Sequence, residues 1–465
     1  MRRGIAEIGG NQPRRGGLRL GVILDGAGTT ADGWRRPGVQ PDASIDIRTY
    51  VREAQRAEAA LLDFVFIADT LFITPDSAPH LLNRLEPVTL LSAVATHTSR
   101  IGLVATISTL FTEPFTMARQ LASLDLISDG RAAWNIVTSA VPAAAMNHSR
   151  PRDFAMKDRY QRAAEHVGIC QALWDSWEGD AFVYDKANGI YFDRDKLHPL
   201  DFTGDYYSVA GPLNIQGSRQ QRPVLFQAGA SHNGRDLAAR FGDGIFAMAS
   251  SMAAGKEYAD DVRARAVGFG RAGDEIVFMP RISPIVAATE TDVAELYRET
   301  TRLANIDDAL QVLGLFLNSP ELVRQALDAP FPEIALTPAP AGSARPDRLS
   351  YIETTSPERF VAGVRQRRLT LREAAQEFMT PRTEFMGTPD QVAGALERWF
   401  RAEAADGFII RGGDFEAFSR LCIPLLQERG LCRTRYEAGT LRGNLGLPPV
   451  RNRYAAARRQ TVSAD

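Results

Sequence analysis

Residues 101–137 read IGLVATISTLFTEPFTMARQLASLDLISDGRAAWNIV. An apolar run (101–107) gives way to a stretch with helical spacing (114–128), and a second apolar run follows (131–137). This is the alternation of a strand, a covering helix and a parallel strand. Asn135 interrupts the second run between Trp134 and Ile136. A buried carboxamide without partners costs about 1–3 kcal/mol, so the amide is expected to meet either a structural hydrogen-bond network or a polar ligand.

The same alternation extends in both directions. LRLGVIL (18–24) precedes helical spacing from Ile45 to Leu62, DFVFIAD (63–69) precedes a helix near 86–98, and RAAWNIV precedes one at 158–176. PVLFQAG (223–229) leads into SHNGRDLAARFG, GIFAMA (244–249) into a helix ending near 268, and IVFMPRISPIVA (276–287) into a helix from 290. GFIIRGG (407–413) comes last, followed by FEAFSRLCIPLLQE. Eight such units predict an α/β fold with parallel strands covered by helices, closed as a (β/α)8 TIM barrel.

A barrel of this kind needs about 250 residues, so a chain of 465 must carry insertions. The expected organisation is a flexible N-terminal tail (1–17), one barrel domain (18–435) and a C-terminal extension (436–465). Long insertions fall after strand 4 (about 138–222) and strand 7 (about 303–388). The first should hold a helix and then hairpins or ordered loop in YDKANGIYFDRDKLHPLDFTGDYYSVAGPL. The second holds helices interrupted by PAPAGSARP (338–346), a mobile segment, and is the candidate lid. The Arg-rich end RNRYAAARRQ reads as a tail.

With 45% hydrophobic and 24% charged residues the chain is globular. Lys+Arg 54 against Asp+Glu 56 leaves a net charge of -2, so no global basic field points to nucleic acid or an anionic membrane, and the expected partner is a small molecule. Cys170, Cys422 and Cys432 are scattered and odd in number, which suits reduced thiols in a cytoplasm. Six histidines without an HxxxH pair give no metal site. The basic N-terminus lacks the apolar core of a signal peptide, and no run approaches a membrane span.

Candidate site residues follow from position. DGAGTT (25–30) offers Gly26 and Gly28 but has Ala31 where a third glycine would stand, so it reads as a tight loop and not as a dinucleotide fingerprint. Trp34, Arg35 and Arg36 come next, to wall a pocket, grip an anion or dock a loop. Asp69 ends the second strand at the rim where barrels keep their chemistry, although a carboxylate there can also cap a turn. Thr106 and Ser108 stand at the same rim. In QAGASHNG, Gly229 and Ala230 lead to Ser231 before a helix, a pattern that fits a plain N-cap or a phosphate held at a helix N-terminus.

EPVTLLSAVATHTSRIGLVATISTLFTEPFTMARQLASLDLISDGRAAWNIVTS (86–139) resembles the core of the bacterial-luciferase-like flavin monooxygenases, in the branch of nitrilotriacetate monooxygenase component A, dibenzothiophene-sulfone monooxygenase and the pristinamycin synthase subunits. RYQRAAEHVGICQALWDSW, GPLNIQGSRQQRPVLFQAGAS and FMGTPDQVAGAL carry the likeness onward, so that it spans roughly 18–430. It implies a luciferase-like TIM barrel that takes reduced FMN (FMNH2) from a separate NAD(P)H:flavin reductase. With O2, such an enzyme oxidises a small organic substrate through a flavin peroxide adduct.

Position by position, the resemblance places FMN contacts on Asp69, Thr106, Tyr160 and Ser231, with Asn135 beside the isoalloxazine. Met156 stands where the family commonly has a His, and GAGTTADGWR replaces its His-bearing segment. The resemblance therefore assigns no catalytic residue here, and Trp34 and Met156 are the residues expected toward the substrate. It further implies a homodimer or homotetramer. The alternatives are oxidative cleavage of a flavin or related heterocycle, as in riboflavin lyase, and a non-catalytic flavin-binding subunit.

Overall fold

The computed structural model describes residues 17–28, 32–75, 77–139, 141–154, 156–336, 356–412 and 414–455. Eight strands, β1 (Arg19–Ile23), β2 (Phe64–Ile67), β3 (Gly102–Ser108), β4 (Ala132–Val137), β5 (Val224–Gln227), β6 (Gly244–Ala247), β7 (Val277–Ile282) and β8 (Gly407–Ile410), pair in parallel in chain order. Closure is direct, because β1 pairs with β2 on one side and with β8 on the other. This is the expected (β/α)8 barrel. Its outer layer is α1 (Ile47–Ala59), α2 (Pro87–Ala95), α3 (Pro114–Ile127), α4 (Arg159–Trp174), α5 (His232–Phe241) and α6 (Met252–Gly268), with further helices after β7 and β8.

Period-two alternation divides each strand between two cores. Phe64, Phe66, Val104, Ala133, Val224, Phe226, Val277, Met279 and Ile409 fill the barrel itself. Their neighbours Val65, Leu103 and Phe408 pack outward under the helices, as does Trp134. Two phenylalanines, Phe64 and Phe226, meet at the barrel axis with ring centroids 4.9 Å apart. Room for Phe64 comes from Gly21 on β1, where a Cβ would stand 2.1 Å from the ring.

Several boundaries differ from the sequence reading. β7 stops at Ile282, and Ile285–Val286 pairs instead with Met386–Gly387. Pro284 lies between, with no N–H to continue a ladder. Likewise FEAFSRLCIPLLQE is two helices, α12 (Phe415–Leu421) and α13 (Ile423–Glu428), divided just before Pro424.

The insertion after β4 holds α4 and two antiparallel hairpins, Phe182–Asp185 with Ile190–Phe192 and Phe202–Thr203 with Ser208–Val209. After β7 come α7 (Glu290–Arg302), α8 (Ile306–Leu317), α9 (Pro357–Gln366), α10 (Leu371–Met379) and α11 (Pro389–Arg401). Among these, α8, α9 and α10 enclose a small core of their own built on Leu310, Leu313, Val361, Leu371 and Phe378. The expected tail at 1–17 (apart from Gly17) and the expected mobile segment at 338–346 lie outside the described residues.

Beyond the barrel, α14 (Leu441–Asn444) and Leu447 place Leu441, Leu445 and Leu447 in the barrel core at its N-terminal end. Arg442 pairs there with Asp243 at 2.6 Å. The tail expected at 451–460 begins as bound structure, since buried Asn452 donates to the carbonyls of Asp175 and Trp177. No helix among the described residues is long and apolar enough to cross a membrane.

Candidate active site at the C-terminal mouth of the barrel

Thr106 and Asn135 are direct register partners on β3 and β4. Val104 and Ala133 fill the barrel, so the residues two positions on share their inward face and stand at the C-terminal mouth. Trp134 points the opposite way, buried among α3 and α4, with its Nε1 donating to the Ile107 carbonyl at 3.0 Å. Asn135 is 5% exposed; its Nδ2 donates to Thr106 Oγ1 at 3.0 Å. Its Oδ1 accepts no hydrogen bond among the described residues. A hydroxyl can donate as well as accept, so either orientation of the amide leaves one polar atom facing the mouth.

The second cluster forms where β5 runs into α5. Ser231 is the N-cap, with extended backbone (φ -67, ψ 163) and its Oγ accepting from the Gly234 N–H at 3.2 Å. The same Oγ lies 2.8 Å from the hydroxyl of Tyr160, in the first turn of α4. The N-cap reading of Ser231 is thus observed, and capping leaves other N–H groups of the first turn without intrahelical acceptors. The approach is held rigidly: the Gly229 N–H donates to Gln227 Oε1 at 2.8 Å, and the Tyr258 hydroxyl donates to the Gly229 carbonyl at 2.7 Å. A Cβ at Gly229 would stand 2.5 Å from Gln227 Nε2 and 3.0 Å from the Gly234 Cα. Arg235 donates to the Ala230 carbonyl at 3.1 Å, and the Arg159 guanidinium stacks 5.0 Å from the Tyr160 ring centre. The Arg235 guanidinium is balanced by Asp261 at 2.8 Å.

Asp69 is half-buried just past β2, the strand that pairs with β3. Burial raises its carboxyl to about 6, against the opposing pull of the Thr70 N–H and of Arg84. A carboxyl poised near neutrality at a barrel mouth suits a polar ligand whose own hydrogen bonds settle its charge.

Beside these residues opens a cavity of about 950 Å³. Its walls come from the ends of β1, β7 and β8, the 70–81 loop, and the α7, α8 and α10 region, with Val141 from the loop after β4. The mouth is therefore divided: Thr106, Asn135 and Ser231 occupy the β3–β5 arc, the cavity occupies the β7–β8–β1 arc, and the two meet where Thr70 follows Asp69. Arg35 donates to the Leu303 carbonyl, and Asp32 accepts from the Asn305 N–H at 2.9 Å, so the insertion expected to act as a lid is docked over this arc. Trp34, expected to wall the pocket, is 42% exposed, and the cavity is lined by its neighbours Gly33 and Arg36 instead. Met156 is half-buried in the turn before α4 and does not line the cavity.

Sequence reasoning passed over the polar floor of that cavity. Asp25, buried at the end of β1, pairs with Arg84 and Arg411, each at 3.3 Å. Arg281 and His80 lie beside them; burial and Arg411 hold the His80 imidazole down to about 4, so it is neutral at pH 7. The available signal was a charge inside an apolar strand, VFMPRI for Arg281 and FIIRGG for Arg411. Tyr258 and Arg235 had no such signal.

Fold and rim together define a TIM-barrel enzyme with its chemistry at the strand C-termini. The chain belongs to the luciferase-like monooxygenase family, whose model matches residues 29–406. It is 40% identical over 444 residues to N-acetyl-S-(2-succino)cysteine monooxygenase of Bacillus subtilis (strain 168), covering 94% of this chain and 98% of that one. It is 36% identical over 456 residues to nitrilotriacetate monooxygenase component A of Aminobacter aminovorans, covering 94% and 98%. Among solved structures, a riboflavin lyase in complex with modified FMN and riboflavin superposes with a TM-score of 0.75 at 30% identity, covering 95% and 99%.

Proposed function

We propose that the protein is the oxygenase of a two-component system, using O2 and FMNH2 from a separate NAD(P)H:flavin reductase to oxidise a small organic substrate. Support for the cofactor comes from the riboflavin lyase, solved with a modified FMN, and support for a separate partner from the relative named as a component A. The observation that carries the reading is Asn135: a 5% exposed amide at the barrel mouth with one polar atom lacking a partner among the described residues. A flavin ring, whose edge bears both N–H and carbonyl groups, answers that need in either amide orientation.

The donor set fits the rest of FMN. Ser231, Tyr160 and the first-turn N–H groups of α5 suit a phosphate, Gly229 and Ala230 let it approach the backbone, and Thr106 holds Asn135 toward the ring. Asp69 serves the polar end of the flavin or its ribityl hydroxyls. Bound FMNH2 supplies the activation of O2, and the chain's task is to orient it, exclude water and present the substrate. The lid over the β7–β8–β1 arc serves the exclusion of water. The same reading assigns the enzyme to the cytoplasm, where reduced flavin is made, as a homodimer or homotetramer.

The test is O2-dependent turnover with a supplied flavin reductase and NAD(P)H. A chain that neither binds FMNH2 under anaerobic conditions nor converts any substrate contradicts the proposal. The 30% identity to riboflavin lyase supports a second reading, oxidative cleavage of a flavin or related heterocycle. Incubation of riboflavin with the protein, FMNH2 and O2 should then release lumichrome, and its absence removes that reading.

A further inference from the structure

We propose that the hydroxyls of Ser108 and Ser139 form a second polar contact for the flavin ring, one donating and the other accepting, beside the contact made by Asn135. The inference deepens the function proposed above and rests on it, since the flavin is the ligand that function assigns to this arc.

Ser108 is the last residue of β3 and is 3% exposed. Val104, Thr106 and Ser108 alternate along one face of that strand, and Val104 fills the barrel. Ser108 therefore stands inward, one step nearer the mouth than Thr106. Ser139, half-buried two residues past β4, reaches back toward it, and its Oγ donates to Ser108 Oγ at 2.6 Å. The Thr106–Asn135 pair is thus followed, toward the mouth, by a second polar pair from the same two chain segments. Thr109 fixes the junction: its N–H and its hydroxyl both donate to the Val137 carbonyl, at 3.0 and 3.2 Å.

The hydrogen-bonding inventory of the pair is incomplete. Ser108 Oγ also accepts from the Leu110 N–H at 3.2 Å. Two donors occupy the two lone pairs of that oxygen, so its own proton is left to donate. Ser139 has committed its proton to Ser108 and keeps both lone pairs. Among the described residues neither hydroxyl makes a further hydrogen bond. One donor and one acceptor therefore stand side by side, and a buried donor without an acceptor is costly. The polar edge of a flavin ring, which carries both N–H and carbonyl groups, answers both.

The substrate cavity does not account for these hydroxyls. Neither serine lines it, whereas Val141, two residues beyond Ser139, does. The chain passes from Asn135 to the cavity wall through Ser139, whose backbone is left-handed (φ 41). That conformation is unfavourable for a residue with a side chain and persists where the surroundings hold it, commonly at binding sites. Glycine would make the same turn without strain, so what serine adds here is its hydroxyl.

The experiment is an anaerobic titration of FMNH2 and of reduced riboflavin against the wild-type protein and the Ser108→Ala, Ser139→Ala and Ser139→Gly variants, with a melting curve for each. Both alanine variants should bind the two flavins more weakly by the same factor, about fivefold or more, because the flavins share the ring and differ in the phosphate. Ser139→Gly should lose the same affinity with a Tm no lower than that of the wild type, since it removes the hydroxyl and relieves the backbone. Affinities within about twofold of wild type in both alanine variants overturn the contact and, with the wild type still binding flavin, leave the proposed function standing. Weakening of FMNH2 alone places the pair at the phosphate and overturns the ring contact. Loss of affinity accompanied in all three variants by a fall in Tm makes the hydroxyls structural and overturns it as well. A wild-type protein that binds neither flavin overturns both the contact and the proposed function.

Discussion

Replacing Ser231 by Asp separates helix capping from phosphate binding. Aspartate is as good an N-cap as serine, and its carboxylate can take over the bond from the Gly234 N–H that Ser231 Oγ accepts at 3.2 Å. The Tyr160 hydroxyl, 2.8 Å from that Oγ, can donate to the carboxylate, so the variant should fold and melt like the wild type. A phosphate at this helix end would then face a full negative charge. Two unit charges about 4 Å apart repel by about 1 kcal/mol in water and about 4 kcal/mol at an effective dielectric of about 20. Phosphate carries about 1.5–2 charges at pH 7, so even at the screened limit expected for this exposed residue the cost is about 2 kcal/mol, roughly thirtyfold in affinity. Anaerobic titration of FMNH2 should show at least that loss, while reduced riboflavin, which has no phosphate, should bind both proteins equally. FMNH2 affinity within twofold of wild type would refute the placement of the phosphate.

Asn135→Leu should keep the fold, because the lost bond to Thr106, worth about 1 kcal/mol, is offset by removal of a buried polar atom. FMNH2 binding should weaken by about 1–3 kcal/mol, or 5- to 150-fold, as read by the same titration. Asp69 gives a pH signature: its folded pKa of about 6 lies above the ordinary 3.8, so the folded state retains a proton that the unfolded chain has lost. The Asp69 contribution to stability should therefore fall as pH rises from about 4 to about 6, by at most about 3 kcal/mol. Because Asp125 and Glu53 are raised as well, Asp69→Asn should make the slope in urea denaturation shallower by that amount and not abolish it. Gly21→Ala places a methyl where the Phe64 ring lies 2.1 Å away and should cost about 1–3 kcal/mol, seen as a lowered Tm without a change in the FMNH2 affinity of the folded protein.

The barrel was legible because its signal repeats. Eight apolar runs are each followed by a covering helix, and misplaced ends, such as the five residues lost from the seventh strand beyond Ile282, leave the count unchanged. Asn135 and Ser231 stood out as candidates because each breaks a local pattern: an amide in an apolar strand, and small residues ahead of a helix. Tyr160 was visible only through family resemblance, since an aromatic residue on an amphipathic helix resembles any core residue. Trp34 shows the limit of reading a pocket wall from a loop sequence. Which side of a loop faces a cavity depends on how that loop packs, here against the insertion through Asp32 and Arg35. The Asp25–Arg84–Arg411 group unites residues up to 386 positions apart, a closeness that only barrel closure creates.

The most direct test of the account is a crystal structure of the protein with FMN bound. The account predicts the phosphate at Ser231 and Tyr160, hydrogen-bonded to the first turn of α5, with the ring edge meeting the Asn135 amide and the 950 Å³ cavity left open beside it. Flavin lying away from Asn135, or with its phosphate remote from Ser231 and Tyr160, would contradict it.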